Sequence, residues 1–467
     1  MVKPRKVVLF KLEIIELEAG DKFDIANFKP ISLLITFSKI FERIIATRIQ
    51  KHLTQNQIVA NEQYGFRSNV STDNASFALM HEILSAINSK LIVGGLFCDL
   101  SKAFDCVNHK ILISKLEYYG IRGTFRTLID SYLKDTYQRV IIKDKSVIYY
   151  SNWELVKHGV PQGSILGPLL FLLYINDLPT AIAKNAKLVL YADDTSLIIT
   201  SPNYTEFVTK LNNVLDVAHE WFKSNLLFLN LSKTTYLQFL TKNRQKLNLN
   251  ITLRNNQITS STNTKFLGLT IEETLSWKCH TNHILSKLSS ACYAIRVITP
   301  LMTDDTLKMI NYSYVHSIIT YGIIFWGNSP HSTHIFKIQK RIIRIMTKSR
   351  RRDSCRQLFK KLEILPLKSQ YILSTILFVV KNKELFTTNQ EIHNINTRCN
   401  KNLHPPVSNL AIFQKGVYFS GIKLFNHLPP NIKILSNEIN LFKSALKRFL
   451  LLHSFYSVEE YFSYRYN

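Results

Sequence analysis

Asp193 and Asp194 stand side by side in Tyr191-Ala192-Asp193-Asp194-Thr195, between the apolar runs Leu188-Val189-Leu190 and Leu197-Ile198-Ile199. Two β-prone segments meeting at a polar pair predict a hairpin with both carboxylates at its tip. Adjacent like charges repel unless a cation lies between them and other groups, and hard oxygen ligands select a divalent metal ion. A third acid is expected where another carboxylate interrupts an apolar strand, and Asp99 does so in Phe97-Cys98-Asp99-Leu100. On neighbouring strands of one sheet, Asp99, Asp193 and Asp194 could hold two Mg²⁺ ions that keep water and phosphate oxygens as their other ligands. Such a pair stabilises both the attacking and the leaving oxygen of an in-line displacement, which is nucleotidyl-transfer or nuclease chemistry. Asp105 has a plainer reading, as a cap for the helix that follows it.

Between the two acid-bearing segments lies Gly159-Val160-Pro161-Gln162-Gly163-Ser164. Glycines let backbone approach a ligand, and a helix entered directly afterwards presents free N–H groups, so the segment has the logic of a phosphate cradle. An ordinary tight turn is the alternative. Cys279-His280 with His283 suggests part of a metal cluster, but no fourth ligand lies near in sequence, so a zinc site is not expected.

Positioning these residues requires a mixed α/β centre. A strand is predicted over 91–100, two helical pieces over 107–133 broken at Gly120 and Gly123, and a hairpin over 138–149. Residues 164–178 read as a helix stopping at Pro179. Phe207, Leu211, Val214, Leu215, Ala218 and Phe222 form one helical stripe, with Asn203 and Glu206 as a capping box. Upstream, Phe37, Ile40, Phe41, Ile44, Ile45 and Ile49 predict the buried face of a helix over 37–53, and a second helix is expected over 69–87. Strands follow at 235–240, 251–253 and 265–271. From about 280 to 385 the pattern is helical; 386–420 is polar and irregular; 441–452 is a last helix.

Lys and Arg outnumber Asp and Glu by 59 to 33, a formal charge of +26, which points to a polyanionic partner. From Ile335 to Lys361, eleven of 27 residues are basic and one is acidic, with Ile335, Ile338, Ile342, Ile345 and Met346 as the apolar side. Lys337, Lys340, Arg341, Arg344 and Lys348 on the other side suit phosphate contact. A solvated face, or a nuclear localisation signal at Arg350-Arg351-Arg352, is the alternative. The longest apolar run, Ile165 to Ile175, is too short to span a bilayer. Six scattered cysteines without a CxxC pair, and no secretory pattern, fit an intracellular protein with reduced thiols, and the nucleus is the expected compartment.

Taken in order, Phe97-Cys98-Asp99…Phe104-Asp105, Gly159-Val160-Pro161-Gln162-Gly163-Ser164-Ile165-Leu166-Gly167-Pro168 and Tyr191-Ala192-Asp193-Asp194 resemble the reverse transcriptases of non-LTR retrotransposons, of the LINE or jockey-like type. Lys29-Pro30-Ile31-Ser32-Leu33-Leu34 and Gln63-Tyr64-Gly65-Phe66-Arg67 are similar to that family's fingers motifs. Leu231-Ser232-Lys233-Thr234 and Lys265-Phe266-Leu267-Gly268-Leu269 are similar to its later palm motifs. The resemblance runs from about residue 19 to the end.

It implies an α+β right-hand polymerase: fingers over 1–90, a palm with antiparallel sheet over 91–275, a helical thumb and basic helix region over 276–385, and a C-terminal region over 386–467. It implies that Asp99, Asp193 and Asp194 bind two Mg²⁺, and that Lys233 protonates the pyrophosphate leaving group. Phe104 would sit under the incoming sugar and exclude a 2′-hydroxyl. Gln162 and Gly163 would touch the nucleotide and template, Arg67 would grip the triphosphate, and Lys265 to Leu269, with Lys265 and Gly268, would seat the primer end. From spacing alone, Arg67 and Lys233 read as exposed basic side chains. The implied partners are an RNA template, a DNA primer or target DNA, and dNTPs. Full elements of the family carry an endonuclease ahead of the polymerase, and Leu12 to Ala19 is acidic where relatives have a basic loop. The expectation is therefore a 5′-truncated copy, either an active RNA-directed DNA polymerase or a silent nucleic-acid-binding relic. An RNA-dependent RNA polymerase fits less well, given Phe104 and the Tyr-Ala before the paired acids.

Overall fold

Strand and helix alternation in the first half builds one sheet around the acids, and continuous helical periodicity builds the second half. The computed structural model describes residues 12–17, 28–134, 137–144, 147–183, 185–241, 246–247, 249, 251–254, 256–393 and 402–464. The chain divides into two compact units. The first comprises 1–79, 92–238 and 246–261, and the second 80–91, 239–245 and 262–467. The class is α+β with a helical C-terminal half, as expected.

In the first unit, strands β1 (Leu12–Leu17) and β2 (Phe28–Leu33) pair antiparallel and precede helix α1 (Thr36–Gln55). The acidic stretch at the N-terminus is thus a strand over its described residues; Glu18 and Ala19 lie outside them. Strand β3 (Ile92–Cys98) is followed by α2 (His109–Tyr118) and α3 (Gly123–Leu133). The predicted break falls where Gly120 and Gly123 adopt positive φ. Next come the hairpin β4 (Val140–Asp144) and β5 (Val147–Tyr150), helices α4 (Leu166–Ile175) and α5 (Leu178–Ile182), then β6 (Lys187–Tyr191), β7 (Asp194–Ser201), α6 (Tyr204–Ser224), β8 (Thr235–Phe239) and β9 (Thr259–Ser260). One four-stranded sheet has the order β2-β1-β4-β5. The central five-stranded sheet has the order β9-β8-β3-β7-β6.

Every residue of β3 is buried, because the strand lies inside its sheet and both faces are covered. The stripe Phe207, Leu211, Val214, Leu215, Ala218 and Phe222 of α6 is wholly buried, and Asn203 Oδ1 accepts from the Glu206 N–H at 2.9 Å as the predicted cap. Helix α4 is apolar on all sides because it is enclosed on all sides.

Three local expectations are corrected. The helix predicted to stop at Pro179 ends at Ile175, and Pro179 instead opens α5, where its missing N–H costs nothing. The strand predicted over 265–271 is a hairpin, β10 (Asn263–Phe266) and β11 (Leu269–Glu272), turning at Leu267 and Gly268, both at positive φ. Helix α1 is rolled about its axis. Ser38, Glu42, Ala46, Ile49 and Leu53 are buried, whereas Phe37, Ile40, Phe41 and Ile44 are exposed. The cause is Glu42, drawn inward by the hydrogen bonds described below.

The second unit continues from that hairpin into α7 (Lys278–Ile298), α8 (Ser332–Met346), α9 (Cys355–Leu362), α10 (Leu367–Lys381), α11 (Val417–Asn426) and α12 (Ile439–His453), with shorter helices between them. Part of the polar stretch over 386–420, residues 394–401, lies outside the described residues. Among the described residues no single helix is long and apolar enough to cross a membrane; the bent pair α9 and α10 passes such a test only together.

Candidate active site

Asp193 sits in a two-residue turn closed by the pair Tyr191–Asp194, with Ala192 at φ +57. The predicted hairpin is therefore present, with Asp193 in the turn and Asp194 the first residue of β7. On the other side β7 pairs with β3, and the last pair is Cys98–Thr195. Asp99 follows one step later, level with Asp194. Residues almost a hundred positions apart are brought to the same end of one sheet by this register. Asp193 and Asp99 are half-buried and Asp194 is exposed.

The hairpin tip is held from outside. Tyr64 N–H donates to Leu190 O at 2.8 Å, and Leu190 N–H donates to Glu62 O at 2.8 Å. The buried Gln63 Oε1 accepts from the N–H groups of Gly65 (2.8 Å) and Ala192 (3.2 Å). A Cβ on Gly65 would stand 2.4 Å from Ala192 N, so only glycine lets this segment lie so close to the acid turn. Arg67 braces the same segment, donating from Nη1 to Ala60 O and Gln63 O, both at 3.1 Å.

Lys233 Nζ lies 3.9 Å from Asp99 Oδ2. Its turn is tied to the Asp99 backbone: Asn230 N–H donates to Asp99 O at 2.8 Å, and Asp99 N–H donates to Thr234 Oγ1 at 3.4 Å. The Lys233 side chain is two-thirds exposed, so it is free to reorient toward a ligand.

Phe104 lies in the turn that follows Asp99, with its ring stacked on Phe171 of α4 at 4.7 Å. The Gly159–Ser164 segment packs onto this turn. Val160 N–H donates to Phe104 O at 2.9 Å, Gly159 N–H to Val107 O at 2.8 Å, and Gln162 Nε2 to Asp105 Oδ1 at 3.3 Å. Asp105 thus orients Gln162, while the cap of α2 is Asn108, whose Oδ1 accepts from Lys110 and Ile111 N–H groups. Gly159 has φ +89, and a Cβ there would meet Asp105 Cα at 3.0 Å. Gly163 is exposed, also at positive φ.

Sequence reasoning missed Glu42. Its side chain is buried and accepts from Ile165 N–H at 2.7 Å and from Tyr132 Oη at 2.8 Å. Ile165 is the residue before α4, which has no side-chain cap of its own, so Glu42 supplies a carboxylate from α1 at that helix N-terminus. Ser32 N–H adds a bond to Gln162 O at 2.8 Å. Burial, then the Glu42 charge, hold the Tyr132 hydroxyl protonated well above its usual range. The signal available in the sequence was a single acid at the 38/42/46/49/53 spacing of a helix.

Lys265 and Gly268 belong to the second unit, on its opening hairpin. Lys265 is exposed, and the Tyr321 hydroxyl donates to Leu267 O beside Gly268. The α8 cations separate into two kinds. Lys337 and Arg341 are exposed. Arg344 Nε donates to Asp353 O at 2.9 Å, and Lys340 Nζ lies over the Phe336 ring at 4.7 Å.

Among the described residues no three His, Cys, Asp or Glu side chains converge closely enough to cage an ion by themselves. Cys279, His280 and His283 form no such group. Asp99, Asp193 and Asp194 form no such group either.

Residues 20–271 match the model of the family described as reverse transcriptase (RNA-dependent DNA polymerase). The chain is 31% identical over 338 residues to the probable RNA-directed DNA polymerase from transposon BS of Drosophila melanogaster, covering 69% of this chain and 36% of that protein. It is 27% identical over 326 residues to the RNA-directed DNA polymerase from mobile element jockey of the same organism, covering 68% and 35%. The chain thus spans little more than a third of the length of these relatives. Among solved structures it is similar to Candida albicans telomerase in complex with a telomeric RNA fragment, at 12% identity, TM-score 0.45, and 78% and 66% coverage. The family model covers more than half of the chain: the chain belongs to the reverse transcriptase (RNA-dependent DNA polymerase) family, in its LINE-like, non-LTR branch.

Proposed function

We propose that this chain is an RNA-directed DNA polymerase that adds deoxynucleotides to a primer 3′ end on an RNA template, with Asp99, Asp193 and Asp194 as its metal-binding acids. The observation that carries the reading is the register of β3 on β7, which sets Asp99 level with Asp194 beside the Asp193 turn. Two Mg²⁺ ions held there would supply charge stabilisation of the attacking and leaving oxygens.

The remaining steps fall to the chain's own residues. Gln162 and Gly163 receive the nucleotide and template on a loop whose backbone is already bonded to the Phe104 turn, so little ordering is left for binding. Phe104, backed by Phe171, fills the space beneath the sugar and excludes a 2′-hydroxyl. Arg67 keeps one guanidinium nitrogen on its own loop and turns the rest toward phosphate. Lys233, beside Asp99 and mostly exposed, moves a proton from its ammonium to the departing pyrophosphate. Lys265 and Gly268 seat the primer end, and Lys337, Lys340, Arg341 and Arg344 contact phosphates, with Lys337 and Arg341 the better placed. Residues 1–90 take the role of fingers, 91–275 of palm, 276–385 of thumb and 386–467 of a C-terminal region, and the nucleus is the working compartment.

Purified protein should extend oligo(dT) on poly(rA) with Mg²⁺ and dTTP, and Asp193→Ala should abolish extension while leaving template binding intact. Chelation of the metal should also stop it. A folded chain that binds template and extends nothing would overturn the reading in favour of a catalytically silent RNA-binding protein.

A further inference from the structure

Gln63 is wholly buried, yet only half of its amide is used. Oε1 accepts the Gly65 N–H at 2.8 Å and the Ala192 N–H at 3.2 Å, one from its own loop and one from the acid turn. Nε2 has no hydrogen-bond partner among the described residues. A buried donor left without a partner lowers stability, so the oxygen, not the amide as a whole, is what this position uses. Ala192 gives that oxygen its task. It carries a side chain at φ +57, in the left-handed region, where a residue other than glycine is strained unless its surroundings hold it.

The loop that carries Gln63 is anchored away from the hairpin. The buried Asn176, at the end of α4, bonds its base twice: Oδ1 accepts from Ala60 N–H at 2.9 Å, and Nδ2 donates to Ile58 O at 2.9 Å. Gln63 forms a parallel bridge with Leu190 of β6, the edge strand of the central sheet. Arg67 ties the far end back, because the nitrogen that donates to Ala60 O also donates to Gln63 O. A pull on Arg67 is therefore a pull on the Gln63 peptide. From there the Gln63 side chain leads directly to Ala192 N, the residue before Asp193.

We propose that Gln63 is a positioning residue that makes the 58–67 loop and the Asp193 turn one mechanical body, so that an anion seated on Arg67 sets the place of the Asp193 carboxylate. The clamp stands by itself; the identity of the anion, a nucleoside triphosphate, rests on the polymerase reading. Gln63 acts through the Ala192 peptide rather than on a reacting atom. Glutamine suits the place better than glutamate, since a buried carboxylate so near Asp193 would repel it.

Hydrogen exchange of the full-length chain, in chelator and without nucleotide, reads the clamp directly. Gln63→Met keeps the shape and removes both polar atoms. Amides in peptides covering 188–197 should then exchange about ten-fold faster, as for a turn that has lost a buried hydrogen bond. Arg67→Ala changes a half-buried side chain that bonds Ala60 and Gln63, and it should quicken the same peptides. It also decides the question should Gln63→Met fail to fold. Peptides covering 235–239, in β8 of the same sheet, should keep the wild-type rate. Unchanged exchange over 188–197 in both variants, or equal acceleration over 235–239, would overturn the clamp. A response to Gln63→Met alone would overturn the link to Arg67. In primer extension, Gln63→Met should lower single-turnover dTTP incorporation about ten-fold or more, with dTTP affinity changed less. An affinity loss as large as the rate loss would make Gln63 a nucleotide-binding residue instead. Wild-type protein that extends nothing counts against the polymerase reading and leaves the exchange result standing.

Discussion

Lys233 Nζ stands 3.9 Å from Asp99 Oδ2, and the two are held together by backbone as well as by charge, through Asn230 N–H to Asp99 O. Under the proposed function, this contact tethers the leaving group's proton donor to a metal-binding acid. Lys233→Ala should lower single-turnover dTTP incorporation about 10²-fold or more with little change in dTTP affinity. Lys233→Arg should retain part of the rate. Rapid-quench kinetics at saturating and limiting dTTP separates the two effects, and a loss confined to affinity would reassign Lys233 to binding.

Gly65 bears directly on the acid turn. A methyl group there would sit 2.4 Å from Ala192 N, which forces either the Gln63–Arg67 segment or the hairpin to move. Gly65→Ala should cost about 1–3 kcal/mol of stability and reduce extension more than the stability loss explains. Thermal melts alongside primer extension at a temperature well below the melt check this.

Glu42 holds the start of α4, directly after the Gly159–Ser164 segment, from α1. Glu42→Ala removes the acceptor of the Ile165 N–H and the carboxylate that the Tyr132 hydroxyl bonds, at about 2–5 kcal/mol. Glu42→Gln keeps one acceptor oxygen and should fall between. In the Gln variant, KM for dTTP should rise more than kcat falls, since the loop is loosened while the acids are untouched. Equal KM values would limit Glu42 to a stability role.

Phe104 is backed by Phe171 at 4.7 Å; if it sits under the incoming sugar as proposed, the ring has no room to retreat from a bulkier one. Phe104→Val should raise incorporation of UTP relative to dTTP by about ten-fold or more. Competition between the two nucleotides on poly(rA) reads the ratio directly.

His280 gives the second unit a pH response. The ring is buried, its Nδ1 accepts from Thr270 N–H at 3.3 Å, and burial followed by the positive neighbours His283 and Lys287 pushes its pKa down to about 4. The unfolded chain binds the proton near 6.5, so between pH 6.5 and 4 unfolding takes up a proton and stability falls as pH falls. The full effect is about 3 kcal/mol. His280→Gln should flatten that part of the stability–pH curve, measured by urea unfolding from pH 7 to 4.

Much of the site is legible from local pattern. The hairpin at Asp193, the α6 stripe from Phe207 to Phe222 and the Asn203 cap each depend on residues within a few positions of one another, where periodicity and turn chemistry act directly. The roll of α1 was not legible, because Phe37, Ile40, Phe41 and Ile44 make a better apolar stripe than the one that is buried. Two hydrogen bonds to Glu42 from residues 90 and 123 positions away outweigh it. The turn at Leu267 and Gly268 was hidden for a different reason: the flanking residues alternate through it as one strand would.

What the chain's sequence alone determined is the chemistry: which acids, which glycines, which cations, and in what order. The tertiary structure decided which of them meet. Asp99 lies level with Asp194 because β3 pairs with β7 in one register and not another, and a slip of one residue would turn either acid to the opposite face. Lys233 reaches Asp99 through a turn 130 residues downstream. Each of these pairings is set by long-range packing, whose partners lie beyond any local window of sequence.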